Sequence, residues 1–482
     1  MRLDASDAQA LTPEHAGAAT NDRGKSTVSE RMRPLERLAA LCDPGTLRRI
    51  DGADEHRDLG VVAAVGRVGP HPVVCYAQDS RLAGGSVGTA EAELVVHALR
   101  MARTERMPVV GFLESAGARL QEGAAALGGF GRIFFENVAL HGTAPQISVI
   151  TGTAAGGGCY SPALTDFTVM TRPAAMFLTG PKVVQEAVGE EISAAALGGP
   201  GVHERNGVCH FVARDDHQAV EVARELVDFL APRGERPAPA SGRGRYTGTA
   251  ADPGRHVPAA AREVYDMRDV VRDIVDDGRL LEISARWARN LVVGFARIGG
   301  RRVGIVANQP RYLGGVLDVT ASEKGARFVA TCQTYGVPLV VLVDTPGFMP
   351  GSGQESAGVI RHGAQLVRAF AAATVPRFTV LVRKAYGGAY ITMNSKELGA
   401  DLVLAWPGSE VGVMGSRAAV HILHRRELAA AAEPDGRAQA LADEYAASNI
   451  AVERALELGL VDAIIPPRGT RRRLASALQR AD

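Results

Sequence analysis

A chain of 482 residues, 46% hydrophobic and 22% charged, can bury more than one core and is expected to form two domains of ordinary size. Its 54 basic and 53 acidic residues leave a net charge of +1, too little field to attract a polyanion, so nucleic acid is not an expected partner. The five cysteines (Cys42, Cys75, Cys159, Cys209 and Cys332) are scattered and never spaced C-x-x-C, which suggests neither a disulfide framework nor a zinc ribbon and points to a reduced, cytoplasmic compartment.

The N-terminus has early acidic residues and no apolar h-region, and no run of about 18 apolar residues occurs, so neither secretion nor a membrane span is expected. Residues 1–25 read as a flexible leader and 26–235 as a first domain. The Pro-, Gly- and Arg-rich stretch at 236–260 reads as a linker, 261–470 as a second domain and 471–482 as a tail. The first domain opens with two apolar runs, LGVVAAVGRV and HPVVCYA, that read as paired strands. A Gly-Gly loop follows, then a helix with Leu94, Val95, Ala98, Leu99 and Ala102 as an apolar stripe. The strands PVVGFLES and QISVITG then each run into a glycine-rich turn. Alternating strands and helices predict an α/β fold with a mainly parallel sheet and sites at strand carboxyl ends.

The second domain repeats this order with LVVGFARI, RRVGIVAN, TASEKGARFVATCQTYG, PLVVLVDT and FTVLVRK. Arg67 and Arg297, Gly84 and Gly314, Pro108 and Pro338, and Gly117 and Gly347 are each 230 apart, while Pro145 and Pro376, and Gly156 and Gly387, are 231 apart. One register held over about 90 residues implies internal duplication with one net indel.

Chemistry is expected at the paired turns. Three glycines from Gly156 to Gly158 let backbone N–H groups face a ligand oxygen without side-chain obstruction, and Tyr386-Gly387-Gly388-Ala389-Tyr390 is the counterpart. A further candidate, Glu114-Ser-Ala116-Gly117-Ala118-Arg119, joins a strand end to small residues and an arginine suited to a pantetheine arm and a phosphate. Ser86 formally fits G-x-S-x-G, but AQDSRLA rather than an apolar strand precedes it, so it is not read as a hydrolase nucleophile. The twelve histidines form no HExxH or other metal-ligand spacing, a Walker A motif is absent, and His362 reads as structural or as a substrate contact. No metal is predicted.

ESAGARLQEG, TAAGGGCYSPALTDF, VGFARIGGRRVGIVANQP, LDVTASEKGARF, DTPGFMPGSGQE, IRHGA, RKAYGGAY and AWP occur in this order. Together they resemble the carboxyltransferase (β) subunits of biotin-dependent acyl-CoA carboxylases, the propionyl-CoA and acetyl-CoA carboxylase type, over about residues 30–470. The resemblance implies two tandem crotonase-like (ClpP/crotonase superfamily) domains and a hexamer with active sites between subunits. It implies transfer of a carboxyl group from carboxybiotin, held on a carrier protein, to the α-carbon of a short-chain acyl-CoA. A biotin carboxylase and a biotin carboxyl carrier are the implied partners, since the chain has no biotinylation segment of its own.

Carried onto this chain, the resemblance gives Gly156 and Gly157 to the thioester oxygen of acyl-CoA, and Gly388 and Ala389 to the biotin ureido oxygen. Ala116, Gly117, Ala118, Arg119, Tyr160, Phe348, Tyr390 and Ile391 would bind substrate. The chain departs from the family at Ile391, where propionyl-preferring members have Asp, and at Ala116 for Gly, Glu114 for Asp, and Leu94 and Gln365 for Lys. Sequence does not separate the direction of transfer, which leaves open an acyl-CoA decarboxylase or transcarboxylase subunit, and Leu94, Ala116 and Gln365 leave open a non-catalytic paralogue within a carboxylase complex.

Overall fold

The structure, a computed structural model, describes residues 31–50, 59–231, 251–260 and 262–481; the expected leader and the linker up to residue 250 lie outside them. Among the described residues the first half forms an eight-stranded sheet from β1 (Arg48–Ile50), β2 (Val61–Val68), β3 (His71–Gln78), β4 (Val109–Ser115), β5 (Gln146–Ala155), β6 (Phe167–Thr171), β7 (Ala175–Phe177) and β8 (Phe211–Ala213). The second half forms another from β9 (Leu280–Ile283), β10 (Leu291–Ile298), β11 (Arg301–Asn308), β12 (Leu339–Thr345), β13 (Arg377–Tyr386), β14 (Leu402–Ala405), β15 (Glu410–Gly412) and β16 (Ala463–Ile464). The fold is α/β with two sheets of mixed strands, as the duplication predicts.

In each sheet a hairpin leads into parallel strands. β2 pairs antiparallel with β3, while β3–β4, β4–β5 and β5–β6 are parallel; β10–β11, β11–β12, β12–β13 and β13–β14 repeat this. Every residue of β4 and of β12 is buried, which explains their unbroken apolar runs, because a parallel strand is covered on both faces.

The stripe residues Leu94, Val95, Ala98, Leu99 and Ala102 are all buried on the Thr89–Glu105 helix. Its partner, Val319–Thr334, starts at Asp318, whose Oδ1 accepts from the Ala321 N–H at 2.7 Å. Position 94 is apolar and buried here, whereas Lys324, 230 residues on, is buried with its Nζ donating to the carbonyl oxygens of Ser284, Trp287, Ala288 and Leu291 at 2.8–3.4 Å.

One core cluster runs through both halves. The Phe295 ring lies 6.0 Å from Phe167, 5.4 Å from Phe229 and 5.2 Å from Phe328, and each such burial contributes about 1.5–3 kcal/mol. Polar clasps close the same junction: Tyr335 Oη donates to Asp166 at 2.6 Å, and Arg302 donates to the Phe229 carbonyl at 2.7 Å. Thr470–Arg480, within the segment set apart as a tail, is a helix with Leu474, Ala477 and Leu478 buried in the second core.

Candidate active site

β5 and β13 are each followed by a glycine at φ +58°, Gly156 and Gly387, a backbone region open to glycine at little cost. Each then enters a short helix, Gly157–Leu164 or Gly387–Thr392. The first N–H groups of a helix have no acceptor within it, so each turn offers donors at a strand carboxyl end.

One of the N–H groups expected to face a ligand is engaged by the backbone. The Gly156 N–H donates to the Phe177 carbonyl at 3.2 Å, and Cys159 N–H turns back to the Gly156 carbonyl at 3.1 Å. Gly157 and Gly158 lie between them and match Gly388 and Ala389 in the 231 register. Gly156 thus spends its N–H on the Phe177 carbonyl, and Gly157 and Gly158 follow it in the first turn of the helix. The turn is tightly walled: a Cβ on Gly157 would sit 2.9–3.0 Å from three ring atoms of Phe130, whereas one on Gly388 would sit 3.7–3.8 Å from the Phe348 ring.

The loops beside the turns repeat in detail. Val87 bridges Ala118 as Leu317 bridges Phe348, and Gly117 N–H donates to Ser115 Oγ at 3.1 Å as Gly347 N–H does to Thr345 Oγ1 at 3.3 Å. Glu114 N–H donates to Gln78 Oε1 at 2.9 Å as Asp344 N–H does to Asn308 Oδ1 at 3.3 Å. These polar partners escaped the sequence reading, although the 230 offset aligns them.

Carboxylates anchor both strand ends. Glu114 receives Arg31 at 3.0 Å and the buried Arg37 at 3.2 Å, and Arg37 also reaches Asp216 at 2.9 Å. Asp344, fully buried, receives Arg383 Nε at 3.1 Å and Tyr265 Oη at 2.8 Å. Arg383 also donates to the carbonyls of Ala260 and Glu263 at 3.2 and 3.0 Å, tying the linker's far end to the strand that carries the second turn. Burial, then the Asp344 charge, holds the Tyr265 hydroxyl well above its ordinary pKa, so it stays a donor. Burial also pushes the Lys384 ammonium down.

Ala116 is exposed, Gly117 buried, and Ala118 half-buried beside the first turn. Arg119 is held within the protein: Nη2 donates to Glu91 Oε1 at 2.7 Å and to the Ser86 carbonyl at 2.9 Å, and Nη1 lies 3.4 Å from Glu122. Burial pushes the Glu91 carboxyl up, but Arg119 and backbone N–H groups outweigh it and leave it below its ordinary value. Arg119 therefore fixes the 84–91 segment rather than extending toward a phosphate, and Ser86 belongs to that clamp. Tyr160 and Ile391 are 51% and 50% exposed, whereas Tyr390 is buried and its hydroxyl has no partner among the described residues. His362 has a buried Nδ1 without a partner among the described residues. Among the described residues no group of three His, Cys, Asp or Glu could hold a metal, and no helix is long and apolar enough to cross a membrane.

Each turn thus places a helix start, whose first N–H groups lack acceptors within the helix, at a strand carboxyl end. The carboxyl transferase domain family matches residues 19–481. The chain is 42% identical to the methylmalonyl-CoA carboxyltransferase 12S subunit of Propionibacterium freudenreichii subsp. shermanii over 95% of this chain and 89% of that one. It is 43% identical to the propionyl-CoA carboxylase carboxyltransferase subunit of Haloferax mediterranei over 96% and 91%. Among solved structures, transcarboxylase 12S, a hexamer crystallised with methylmalonyl-coenzyme A, superposes with a TM-score of 0.88 at 42% identity, covering 94% of this chain and 89% of that one. A single-chain, multi-domain long-chain acyl-CoA carboxylase superposes at 0.82 with 26% identity, over 94% of this chain and 47% of that one. The chain belongs to the carboxyl transferase domain family, the acyl-CoA carboxyltransferases of biotin-dependent enzymes.

Proposed function

We propose that this chain transfers a carboxyl group between biotin on a carrier protein and the α-carbon of a short-chain acyl-CoA, with one glycine turn for each. The observation that carries the reading is the pair of turns, equivalent in register and backbone angle, with N–H donors at Gly157 and Gly158 on one and at Gly388 and Ala389 on the other. Biotin, when bound, supplies the carboxyl group and a ureido nitrogen able to accept the α-proton.

The residues supply the electrostatics. Gly157 and Gly158 donate to the thioester oxygen, which gains charge as the α-carbon loses its proton; Gly388 and Ala389 donate to the ureido oxygen, with Phe348 as a flat wall beneath. Each such donor contributes about 2.7–4 kcal/mol to the transition state, so no side-chain base is needed. Ile391, exposed beside the second turn, gives the acyl pocket an apolar contact and favours acetyl or longer apolar groups over a propionyl-tuned site.

Apolar surface flanks both turns, with Tyr160 and Leu178 51% and 55% exposed at the first, Ile391 and Val413 50% and 76% at the second. A neighbouring subunit covering these residues would bring the turns of two chains together and exclude water; a hexamer with biotin carboxylase and carrier partners is part of the reading. The same donors serve transcarboxylation, the activity in the name of the 12S relative.

The test is reconstitution with a biotinylated carrier and its biotin carboxylase across acyl-CoAs of increasing length, beside transfer from methylmalonyl-CoA to free biotin. Carboxylation that depends on the carrier supports the reading. No transfer in either direction with any acyl-CoA would favour a non-catalytic paralogue.

A further inference from the structure

A cavity of ≈ 520 Å³ lies between the two halves of the chain, away from both glycine turns. Its size is that of a site for a small organic molecule. Phe167, Phe328 and Trp287 give it apolar walls; its polar lining comprises the buried Asp166, whose carboxylate is taken up by Tyr335 Oη at 2.6 Å and the Gln146 N–H at 2.8 Å, and the donors and cations beside it. His210 lines it, and because its Nδ1 accepts the Thr168 N–H at 3.0 Å, the proton of the neutral ring sits on Nε2, a donor. Lys324 also lines it. Its ammonium is saturated by four carbonyl oxygens of the 284–291 segment, and among the described residues no carboxylate lies within 4 Å of it. Burial pushes the pKa of its ammonium down to about 7, a shift that a bound anion would oppose. Arg327, at 60% side-chain exposure, stands on the same lining with its guanidinium 5.7 Å from the Trp287 ring centre.

We propose that this cavity binds a small organic carboxylate with a compact apolar body. The body fills the aromatic walls; the carboxylate accepts from His210 Nε2 and offsets the Lys324 charge, the arrangement that a buried cation favours. The far end of the Gly157–Leu164 helix lines the same cavity through Pro162, Ala163 and Leu164. An occupant therefore touches, about 11 Å away at 1.5 Å per residue, the element whose first turn carries Gly157 and Gly158.

The test is calorimetric titration of the full chain with benzoate and with benzyl alcohol, which has the same ring and no carboxylate, repeated on Ala330→Trp. Ala330 is an exposed residue of the cavity lining on the Val319–Thr334 helix, so a Trp there obstructs the cavity without disturbing the core; Thr331→Phe is a second obstructing variant. Benzoate is expected to saturate one site per chain, with benzyl alcohol and both variants about tenfold weaker or worse. Absence of saturation by about 20 mM benzoate, equal affinity for the alcohol, or unchanged binding in both variants overturns the proposal. The readout is binding and not turnover, so its failure leaves the carboxyl-transfer reading where it stands.

Discussion

Replacing Gly157 by Ala tests the acyl-side turn at the scale of one methyl group. The added Cβ would lie 2.9–3.0 Å from three carbons of the Phe130 ring, where ordinary contact begins at 3.4 Å. Either the ring or the helix start must move by about 0.5 Å, and the first turn of the helix holds the donors. Phe130 is 5% exposed in the first core, so the ring has little room, and overpacking of this kind costs about 1–3 kcal/mol of stability. Misplacement of about 1 Å in a reacting geometry costs about 100-fold, and loss of an oxyanion donor about 100- to 1000-fold. The expected kcat for transfer from methylmalonyl-CoA to free biotin is therefore about 10- to 100-fold down, in a protein that still unfolds cooperatively. Gly388→Ala is the internal control, since its Cβ would meet the Phe348 ring at 3.7 Å or more; its kcat should stay within about threefold. Adding Phe130→Leu to Gly157→Ala removes the ring edge and should restore most of the loss. A Gly157→Ala enzyme with unchanged kcat, or a double variant no better than the single, would refute the placement of donors at this turn.

Arg119→Met should raise KM about tenfold for acyl-CoA and equally for the matching acyl-pantetheine, because Arg119 clamps Glu91 and Ser86; an effect confined to the CoA ester would assign it to the phosphate after all. Ile391→Asp should shift the ratio of kcat/KM between propionyl-CoA and longer acyl-CoAs about 10- to 200-fold toward propionyl, measured by competition; an unchanged ratio would remove Ile391 from the acyl pocket. Burial, with the Arg327 charge, depresses His210 to about 4 from an ordinary 6.5. The unfolded chain therefore takes up a proton before the folded one does, and stability present above about 6.5 is lost as pH falls toward about 4, by up to about 3 kcal/mol. His210→Asn keeps an acceptor for the Thr168 N–H, so its denaturation midpoint should fall less steeply over that window; parallel pH curves would refute the assignment.

The two-domain plan was legible because duplication writes itself in glycines and prolines that only special backbone positions demand, and because strand and helix periods show in the apolar pattern. Gly157, Gly388 and Ala389 were legible as residues of the paired turns through the same anchors. Gly156 was not legible as an engaged donor: its acceptor is the carbonyl of Phe177, a backbone atom carrying no sequence letter. Arg119 looked free in ESAGARLQEG because its partners, Glu91 and Ser86, stand 28 and 33 residues earlier. Lys324 posed the same difficulty on a motif the family shares, since its four acceptors are all carbonyls of one distant loop.

On the proposed reading, the duplication lets one backbone serve two unlike ligands. Where the turn is concerned the copies agree, with φ +58° at Gly156 and Gly387 and the same Ser or Thr hydroxyl receiving the loop amide. The wall beneath is drawn from different places. At the first turn it is Phe130, from the helix that follows β4, and the bridge residue is the small Ala118. At the second turn it is Phe348, which occupies the bridge position equivalent to Ala118, beneath Gly388 and against Gly363. At that one position a small residue in the first half is a ring in the second, while the glycine turns keep the same backbone angle. Divergence after duplication therefore acts on side chains around a fixed pair of dipoles. That fits a reaction in which both ligands present an oxygen that gains charge and differ chiefly in shape.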